Sequence, residues 1–262
     1  MYDVSIILPS IRPDNLIAFY KSAKLACQKY SFQIVTPSPY PLPDFFSEIS
    51  NVKHVKTFAG PTTASQQAIQ LCNSKFLYNT VDDGILFPSV IDEAIEYHDA
   101  NLTEKDVYNM RYLEGSDTPF PLDFWMAHHH EDMRLAGIHH DWKMCMHYFM
   151  HLNYFYSLGG YDCRFETLNH AIHDLMFRIQ ADNGLIHESL RETIQCGHMP
   201  GTSGDHAPIH HGQLDHDRPQ FDEMYSDPNA PYKRIKIDYH NWRGRDEVWQ
   251  RRWGKQLEQN EA

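Results

Sequence analysis

The chain has 262 residues, enough for one α/β domain with a substantial core or for two small domains. Hydrophobic residues make up 42% and charged residues 22%, which excludes wholesale disorder, and a formal charge of −12 argues against a dedicated nucleic-acid-binding module. The acidity is uneven, because residues 233–255 carry eight basic against three acidic side chains, net +5, and leave −17 on the remainder. Cys27, Cys72, Cys145, Cys163 and Cys196 are scattered and form no C-x-x-C pair, so neither a disulfide framework nor a zinc ribbon is expected. With no apolar run near the ~20 residues of a membrane span and no signal-peptide pattern at Met1–Ser10, the expectation is a cytoplasmic protein.

Val4-Ser5-Ile6-Ile7-Leu8, closed by Pro9-Ser10, reads as a buried parallel strand. Asp14 to Lys29 then places Leu16, Phe19, Ala23 and Ala26 at helical spacing, with Asp14 at the N-cap. Phe32 to Thr36 is a second strand before a proline-rich stretch, and Val52 to Phe58 a third before Gly60-Pro61. Thr62 to Cys72 reads as a helix, Lys75 to Val81 as a fourth strand and Pro88 to His98 as a helix. Asn101 to Asp141 has no clean period. His147 to Leu158 reads as a buried strand running into Gly159-Gly160, and Asn169 to Asp182 as a helix stopped at Gly184. Gly197 to Pro231 reads as an ordered loop or lid, followed by a strand at Ile235-Lys236-Ile237 and a basic amphipathic helix.

This alternation predicts an α/β fold with a mostly parallel sheet, whose ligands bind beyond the carboxyl ends of the strands. Ser10 and Arg12 after the first strand, Thr36 and Ser38 after the second, and Asp82-Asp83-Gly84 after the fourth then face one crevice. Adjacent carboxylates on such a turn suit a hard divalent cation that keeps positions open for phosphate oxygens. The plainer reading is a turn in which Asp82 caps the next helix and Asp83 is solvated.

The order of Val4-Ser5-Ile6-Ile7-Leu8-Pro9, Gly60 with its helix, and Phe76 to Pro88 around Val81-Asp82-Asp83 resembles family 2-like glycosyltransferases of the GT-A fold. Leu158-Gly159-Gly160-Tyr161-Asp162, Phe165 and His173-Asp174-Leu175-Met176-Phe177-Arg178 look like that family's Gly-Gly-aromatic-Asp turn and Asp-Leu-x-x-Arg helix. The match runs over roughly residues 3 to 190. It implies a GT-A (Rossmann-like) domain over residues 1–196, with a nucleotide-sugar half at 1–100 and an acceptor half at 101–196. Residues 197–262 follow as a lid loop and basic extension.

The resemblance further implies a nucleotide-sugar donor, a bound Mn²⁺ or Mg²⁺ and transfer of the sugar to an acceptor hydroxyl. It puts Asp83 on the family's last metal-binding aspartate and places Pro9, Ser10, Arg12, Thr36, Gln66, Asp82, Gly159 and Gly160 at the donor. The two glycines would let backbone approach donor or acceptor closely. Two departures stand out: Val81 replaces the aspartate two positions before Asp83, and Ala171-Ile172 replaces the family's Glu-Asp pair. His170, Asp174 and Arg178 share a helix face, so Asp174, or else His170, is the candidate base. The competing reading is an Asp174–Arg178 ion pair; if neither residue is the base, a retaining mechanism without one is open.

Eighteen histidines, several clustered, form no zinc-finger or His-Glu-x-x-His spacing. His206, within Gly204 to His211, is the candidate that completes the metal shell left short by Val81, against a reading as a solvated loop. His128-His129-His130 falls in the acceptor region without an assigned role. The tail around Trp242, Trp249 and Trp253 interleaves aromatics with arginine, a pattern for an anionic membrane surface or nucleic-acid phosphates, or for packing on the acidic domain.

The leading expectation is a metal-dependent glycosyltransferase, a hexosyl- or pentosyltransferase, with a UDP-sugar favoured and a glycan, protein or small-molecule acceptor. The alternatives are a non-catalytic nucleotide-sugar or glycan-binding protein on the same scaffold, and a nucleotidyltransferase. Donor sugar, acceptor, stereochemical outcome and oligomeric state are not encoded in any motif found.

Overall fold

A computed structural model of the chain describes residues 1–115, 126–128, 131–134, 141–197, 207–227, 229–242 and 247–252. The strands are β1 (Tyr2–Ile7), β2 (Phe32–Ser38), β3 (Val52–Lys56), β4 (Ser74–Asn79), β5 (Gly84–Leu86), β6 (Val107–Asn109), β7 (Tyr112–Gly115), β8 (Met126–His128), β9 (Glu131–Arg134), β10 (Asp141–Met144), β11 (Tyr148–His151), β12 (Ile186–Glu188) and β13 (Ile194–Gly197). The helices are α1 (Asn15–Ala26), α2 (Pro61–Ile69), α3 (Val90–Asn101), α4 (Leu152–Ser157), α5 (Leu168–Ala181), α6 (Ala207–Gly212), α7 (Arg218–Met224), α8 (Ala230–Lys233) and α9 (Glu247–Arg252), with a π-helical turn at Gln213–Asp217 between α6 and α7.

Seven strands form the central sheet in the order β12-β6-β11-β4-β1-β2-β3. Only β11 runs against its neighbours; the β1–β2, β1–β4, β2–β3 and β6–β12 pairs are parallel. This is the mostly parallel, helix-flanked sheet that the alternation predicts. Strand β1 is buried on both faces, so its apolar run serves two cores. Val4, Ile6 and Leu8 pack with Leu16 and Phe19 of α1 and Ile91 and Ile95 of α3, while Ile7 faces Ile172, Leu175 and Phe177 of α5.

Three local expectations are corrected. The apolar segment from His147 splits into β11 and then α4, whose Leu152 and Phe155 turn into the core. The glycine- and histidine-rich stretch after Gly197 is helical from Ala207 to Met224, through α6, the π turn and α7, with Asp217 and Phe221 buried. Ile235-Lys236-Ile237 forms no strand; its backbone packs on the Gly159–Gly160 turn, where the Ile237 amide donates to the Leu158 carbonyl at 3.1 Å.

Gly159 (φ +86°) and Gly160 (φ +72°) both sit in the left-handed region. A Cβ on Gly159 would meet the Ile237 carbonyl oxygen at 2.1 Å, and one on Gly160 the Gln66 side chain at 2.3 Å. Gly159→Ala therefore loses about 1–2 kcal/mol to the left-handed backbone and must also push the Ile237 backbone away. The expected result is a lowered urea midpoint together with faster hydrogen exchange at residues 235–241.

Candidate functional site

The carboxyl ends of β1, β2 and β4 open onto a cleft of about 460 Å³. Pro9, Ser10, Ile11 and Arg12 line it from the first loop, Pro37, Ser38 and Pro39 from the second, and Val81, Asp82 and Asp83 from the third. Thr57, Ala59, Pro61 and Ala64 form a mostly apolar floor. The opposite wall is Met146, the start of α5 at Leu168 and Asn169, and Ile209 and Gln213 from the C-terminal segment.

The first and third loops are wired together through Asp82. Ser10 Oγ donates to Asp82 Oδ2 at 2.6 Å, and Arg12 Nη2 donates to Oδ1 at 2.6 Å. The Ser10 hydroxyl also accepts the Arg12 amide at 3.0 Å, which fixes the first loop in a tight turn. Arg12 Nη2 lies 3.8 Å from Asp83 Oδ2, so one guanidinium serves both aspartates. The result is a rigid polar wall made of two carboxylates, a hydroxyl and a cation.

A Mn²⁺- or Mg²⁺-class ion uses one or two carboxylates and completes its shell with phosphate oxygens and water. Asp83 would hold the ion, and Arg12 already stands as positive charge beside both aspartates. Asp82, with both oxygens accepting hydrogen bonds, would join only by exchanging a partner. His206 lies outside the described residues, as do the side chains of the His128–His130 triplet. Among the described residues, the one trio of His, Cys, Asp or Glu with ligand atoms close enough for a metal is His98, Asp99 and His151. Lys75 already pairs with Asp99 there, at 2.6 Å.

Four of the expected donor residues lie elsewhere. Thr36 is buried behind the cleft, where its hydroxyl donates to the Leu8 carbonyl at 2.6 Å. Gln66 is fully buried, and its Oε1 accepts the Tyr161 amide at 3.0 Å. The close approach that Gly159 and Gly160 permit is taken up by the chain's own Ile237 and Gln66 rather than left open to a ligand. These four residues hold the scaffold, because partners distant in sequence occupy the space and polar groups assigned to a ligand.

Asp174 is corrected as well. It is fully buried with Arg178, whose Nε donates to Asp174 Oδ2 at 2.8 Å. Tyr225 donates to Oδ1 at 2.6 Å, and Arg234 approaches the same oxygen at 3.2 Å. Arg178 then spends Nη1 and Nη2 on the Leu158 and Gly160 carbonyls. A carboxylate so engaged, with no path to the cleft, does not take a proton from a substrate. The ion-pair reading is the correct one, though the pair lies in the core rather than on a helix surface.

His170 lies differently. A second cavity, also about 460 Å³, adjoins the cleft and shares Met146, Asn169 and Gln213 with it. His170 and His173 line it with Tyr112, Met144, Leu214, Arg218, Phe221 and Asp222. Nδ1 of each imidazole is buried without a hydrogen-bond partner. Burial holds both rings below the ordinary histidine pKa, His173 pushed down to about 3 by burial and the neighbouring His170. Sequence reading missed the importance of His173, because its partner Phe221 lies 48 positions away in a stretch without periodicity; the two rings sit 6.0 Å apart.

Four of the described basic residues of the tail pair with carboxylates of the chain. Arg251 Nη2 lies 2.5 Å and Arg252 Nε 2.7 Å from Glu166, whose carboxyl they hold below its usual range against the opposing effect of burial. Arg234 pairs with Asp162 at 2.7 Å, and Lys233 pairs with Asp227. Val248 is buried against Ile11 and Ile209, both of which line the cleft. Among the described basic residues of this stretch, Lys233, Arg234, Arg251 and Arg252 are paired within the chain, as the domain-packing reading expects. No helix among the described residues is long and apolar enough to cross a membrane.

Asp174→Asn leaves two buried or half-buried arginines undercompensated, which costs about 3–5 kcal/mol. The expected outcome in chemical denaturation is a large loss of stability.

No protein-family model matches the sequence, and no curated protein aligns with it. Solved structures do match. S. aureus TarS 1-349 superposes with a TM-score of 0.53 at 12% identity, over 74% of this chain and 60% of that one. Its complex with UDP gives 0.56 at 12% identity, over 87% and 71%, and its complex with UDP-GlcNAc gives 0.57 at 12%, over 78% and 60%. The chain thus spans about 60% of the TarS chain in two of these three superpositions. TarS is a GT-A fold glycosyltransferase, and the mixed sheet described above is the GT-A fold.

Proposed function

We propose that this chain is a glycosyltransferase that moves a sugar from a nucleoside-diphosphate sugar, a UDP-sugar in the first instance, to an acceptor hydroxyl. The observation that carries the reading is the Ser10–Asp82–Arg12 wall with Asp83 beside it, at the carboxyl ends of β1 and β4. The TarS complexes with UDP and UDP-GlcNAc support the choice of donor.

In this reading the apolar floor of Ala59, Pro61 and Ala64 takes the nucleoside, and Arg12, held in place by Asp82, meets the diphosphate. Ser10 keeps Asp82 oriented as charge builds on the departing phosphate. A Mn²⁺ or Mg²⁺ ion held at Asp83 would supply further neutralisation of that leaving group. The base is His170: its imidazole faces the adjoining cavity, where an acceptor hydroxyl approaches across Asn169 and Gln213. A positioned neutral imidazole contributes roughly 100- to 10,000-fold to such a step.

Nucleoside diphosphate release from UDP-, GDP- and TDP-sugars (CMP release from a CMP-sugar), with and without Mn²⁺, tests the reading directly. The expected outcome is release from one donor class, stimulated by the metal and abolished in Asp83→Ala with the circular dichroism spectrum unchanged. Saturable donor binding without release under any acceptor mixture would instead identify the binding protein that the buried Asp174 also allows.

The groups facing His170 are Asp217 and Asp222, which raise its pKa, and Arg218, which lowers it; burial dominates and holds it below 6.5. A base must be neutral, so kcat should be full at neutral pH and fall only as the pH drops through this lowered pKa. His170→Gln should remove that acid limb and lower kcat by at least about 100-fold with the donor KM unchanged.

A further inference from the structure

A group of metal-ligand side chains stands at the end of the sheet away from the cleft. Strand β11 runs against β4 with His151 opposite Phe76, in the first half of β4, while the cleft lies beyond the other end of that strand. His98 reaches the same place from the last turn of α3, and Asp99 follows it in the chain. One ring nitrogen from each histidine and one carboxylate oxygen of Asp99 lie within 4.8 Å of one another. Phe76 backs both imidazoles, with centroid distances of 5.0 Å to His98 and 4.7 Å to His151.

Three features set this trio apart from ordinary ring packing. The two imidazole centroids are 5.0 Å apart with their planes at 59°. Two imidazoles on one tetrahedral ion, each bound through nitrogen at about 2.0–2.1 Å, place their centroids at roughly that separation. His98 is 1% exposed, and its Nε2 lies 3.2 Å from the Asp106 carbonyl oxygen. A carbonyl only accepts, so Nε2 carries the proton and the neutral ring keeps its lone pair on Nδ1. An outer hydrogen bond of this kind fixes the tautomer and orientation of a metal-ligating histidine. Finally, the place beside Asp99 already holds a positive charge: Lys75 Nζ lies 2.6 Å from Asp99 Oδ1 and 4.8 Å from the Phe76 ring. Both side chains of that pair are more than two-fifths exposed, so the ammonium can move into solvent when another cation takes its place. The carbonyls that end α3 favour positive charge at the same point.

We propose that His98, Asp99 and His151 form a binding site for a first-row transition-metal ion of the Zn²⁺ class, with water completing the shell. Two imidazole nitrogens and one carboxylate oxygen suit such an ion and discriminate against Mg²⁺ and Ca²⁺, which take oxygen shells. The ion ties the end of α3 to the end of β11, two elements distant in sequence. It acts on the stability of the fold, because an ion bound by the folded chain alone raises the unfolding midpoint by mass action. The site is separate from Asp83 and does not depend on the glycosyltransferase reading.

The test uses the full chain, labelled with ¹⁵N-histidine, stripped with a chelator and kept in excess Mg²⁺ so that any hard-cation site is filled. Zn²⁺ is then titrated in. The expected result is that the ring resonances of His98 and His151 shift together and saturate before those of the other histidines, with a rise in the thermal midpoint. His151→Phe keeps an aromatic ring against Phe76 and should weaken this Zn²⁺ binding ten-fold or more. Asp99→Asn, at an exposed position, should weaken it in the same direction and serves if His151→Phe does not fold. Lys75→Gln frees Asp99 from its present partner and should tighten Zn²⁺ binding several-fold, an effect that general adhesion of metal to surface histidines would not show. Zn²⁺ that shifts other histidines while His98 and His151 stay unmoved overturns the site. So does wild-type Zn²⁺ affinity at these two rings in Asp99→Asn together with Lys75→Gln measured singly. Movement of the same two resonances by Mg²⁺ alone overturns the metal class.

Discussion

The buried pair of Asp174 and Arg178 holds together parts of the chain that would otherwise have no reason to meet. Arg178 reaches from the middle of α5 to the carbonyls of Leu158 and Gly160 and so fixes the turn between α4 and the start of the following loop. Asp174, on the next turn of the same helix, collects Tyr225 and Arg234 from the C-terminal segment. Two charges in the core are tolerable only when each finds its full set of partners. That requirement pulls the Gly-Gly turn, α5 and α7 into one unit, and the wall of the cleft opposite Asp82 is built on it.

On the other side of the cleft the same principle works at smaller scale. Asp82 is almost fully buried, and Ser10 and Arg12 satisfy it from a loop 70 positions earlier. The first and third loops of the sheet are therefore locked before any ligand arrives, which is preorganisation of the kind that electrostatic stabilisation needs. Asp83, one residue on, is kept near the surface of the cleft within reach of the same guanidinium. Adjacent and chemically identical residues thus sit differently, Asp82 hydrogen-bonded within the wall and Asp83 at the lining of the cleft.

The C-terminal segment completes the site instead of trailing from it. Asp217 accepts the amides of Glu166 and Thr167 at 2.8 Å each and caps the approach to α5, while Arg251 and Arg252 close on Glu166. Val248 fills the space over Gly60, where even a Cβ would meet it at 2.6 Å. Through Ile209 and Gln213 the segment supplies the outer wall of the cleft, and through Leu214, Arg218 and Phe221 that of the second cavity.

The sequence by itself determined the strands β1, β2 and β4 with their helices, since buried apolar runs and 3.6-residue spacing are local properties. It also determined that Ser10, Arg12, Asp82 and Asp83 would converge, because parallel strands must deliver their C-terminal loops to one edge. Tertiary structure alone decided what each polar residue does there. Asp174 reads as a base until Tyr225 and Arg234 arrive from 51 and 60 positions away, and Gly159 reads as a ligand contact until Ile237 fills the space. The helices after residue 206 gave little local signal, because glycine, proline and histidine have weak helix propensity and packing on α5 supplies the difference. His170 and His173 likewise come to line one cavity only with Phe221 and Leu214, since burial and the loss of hydrogen-bond partners are properties of the folded chain.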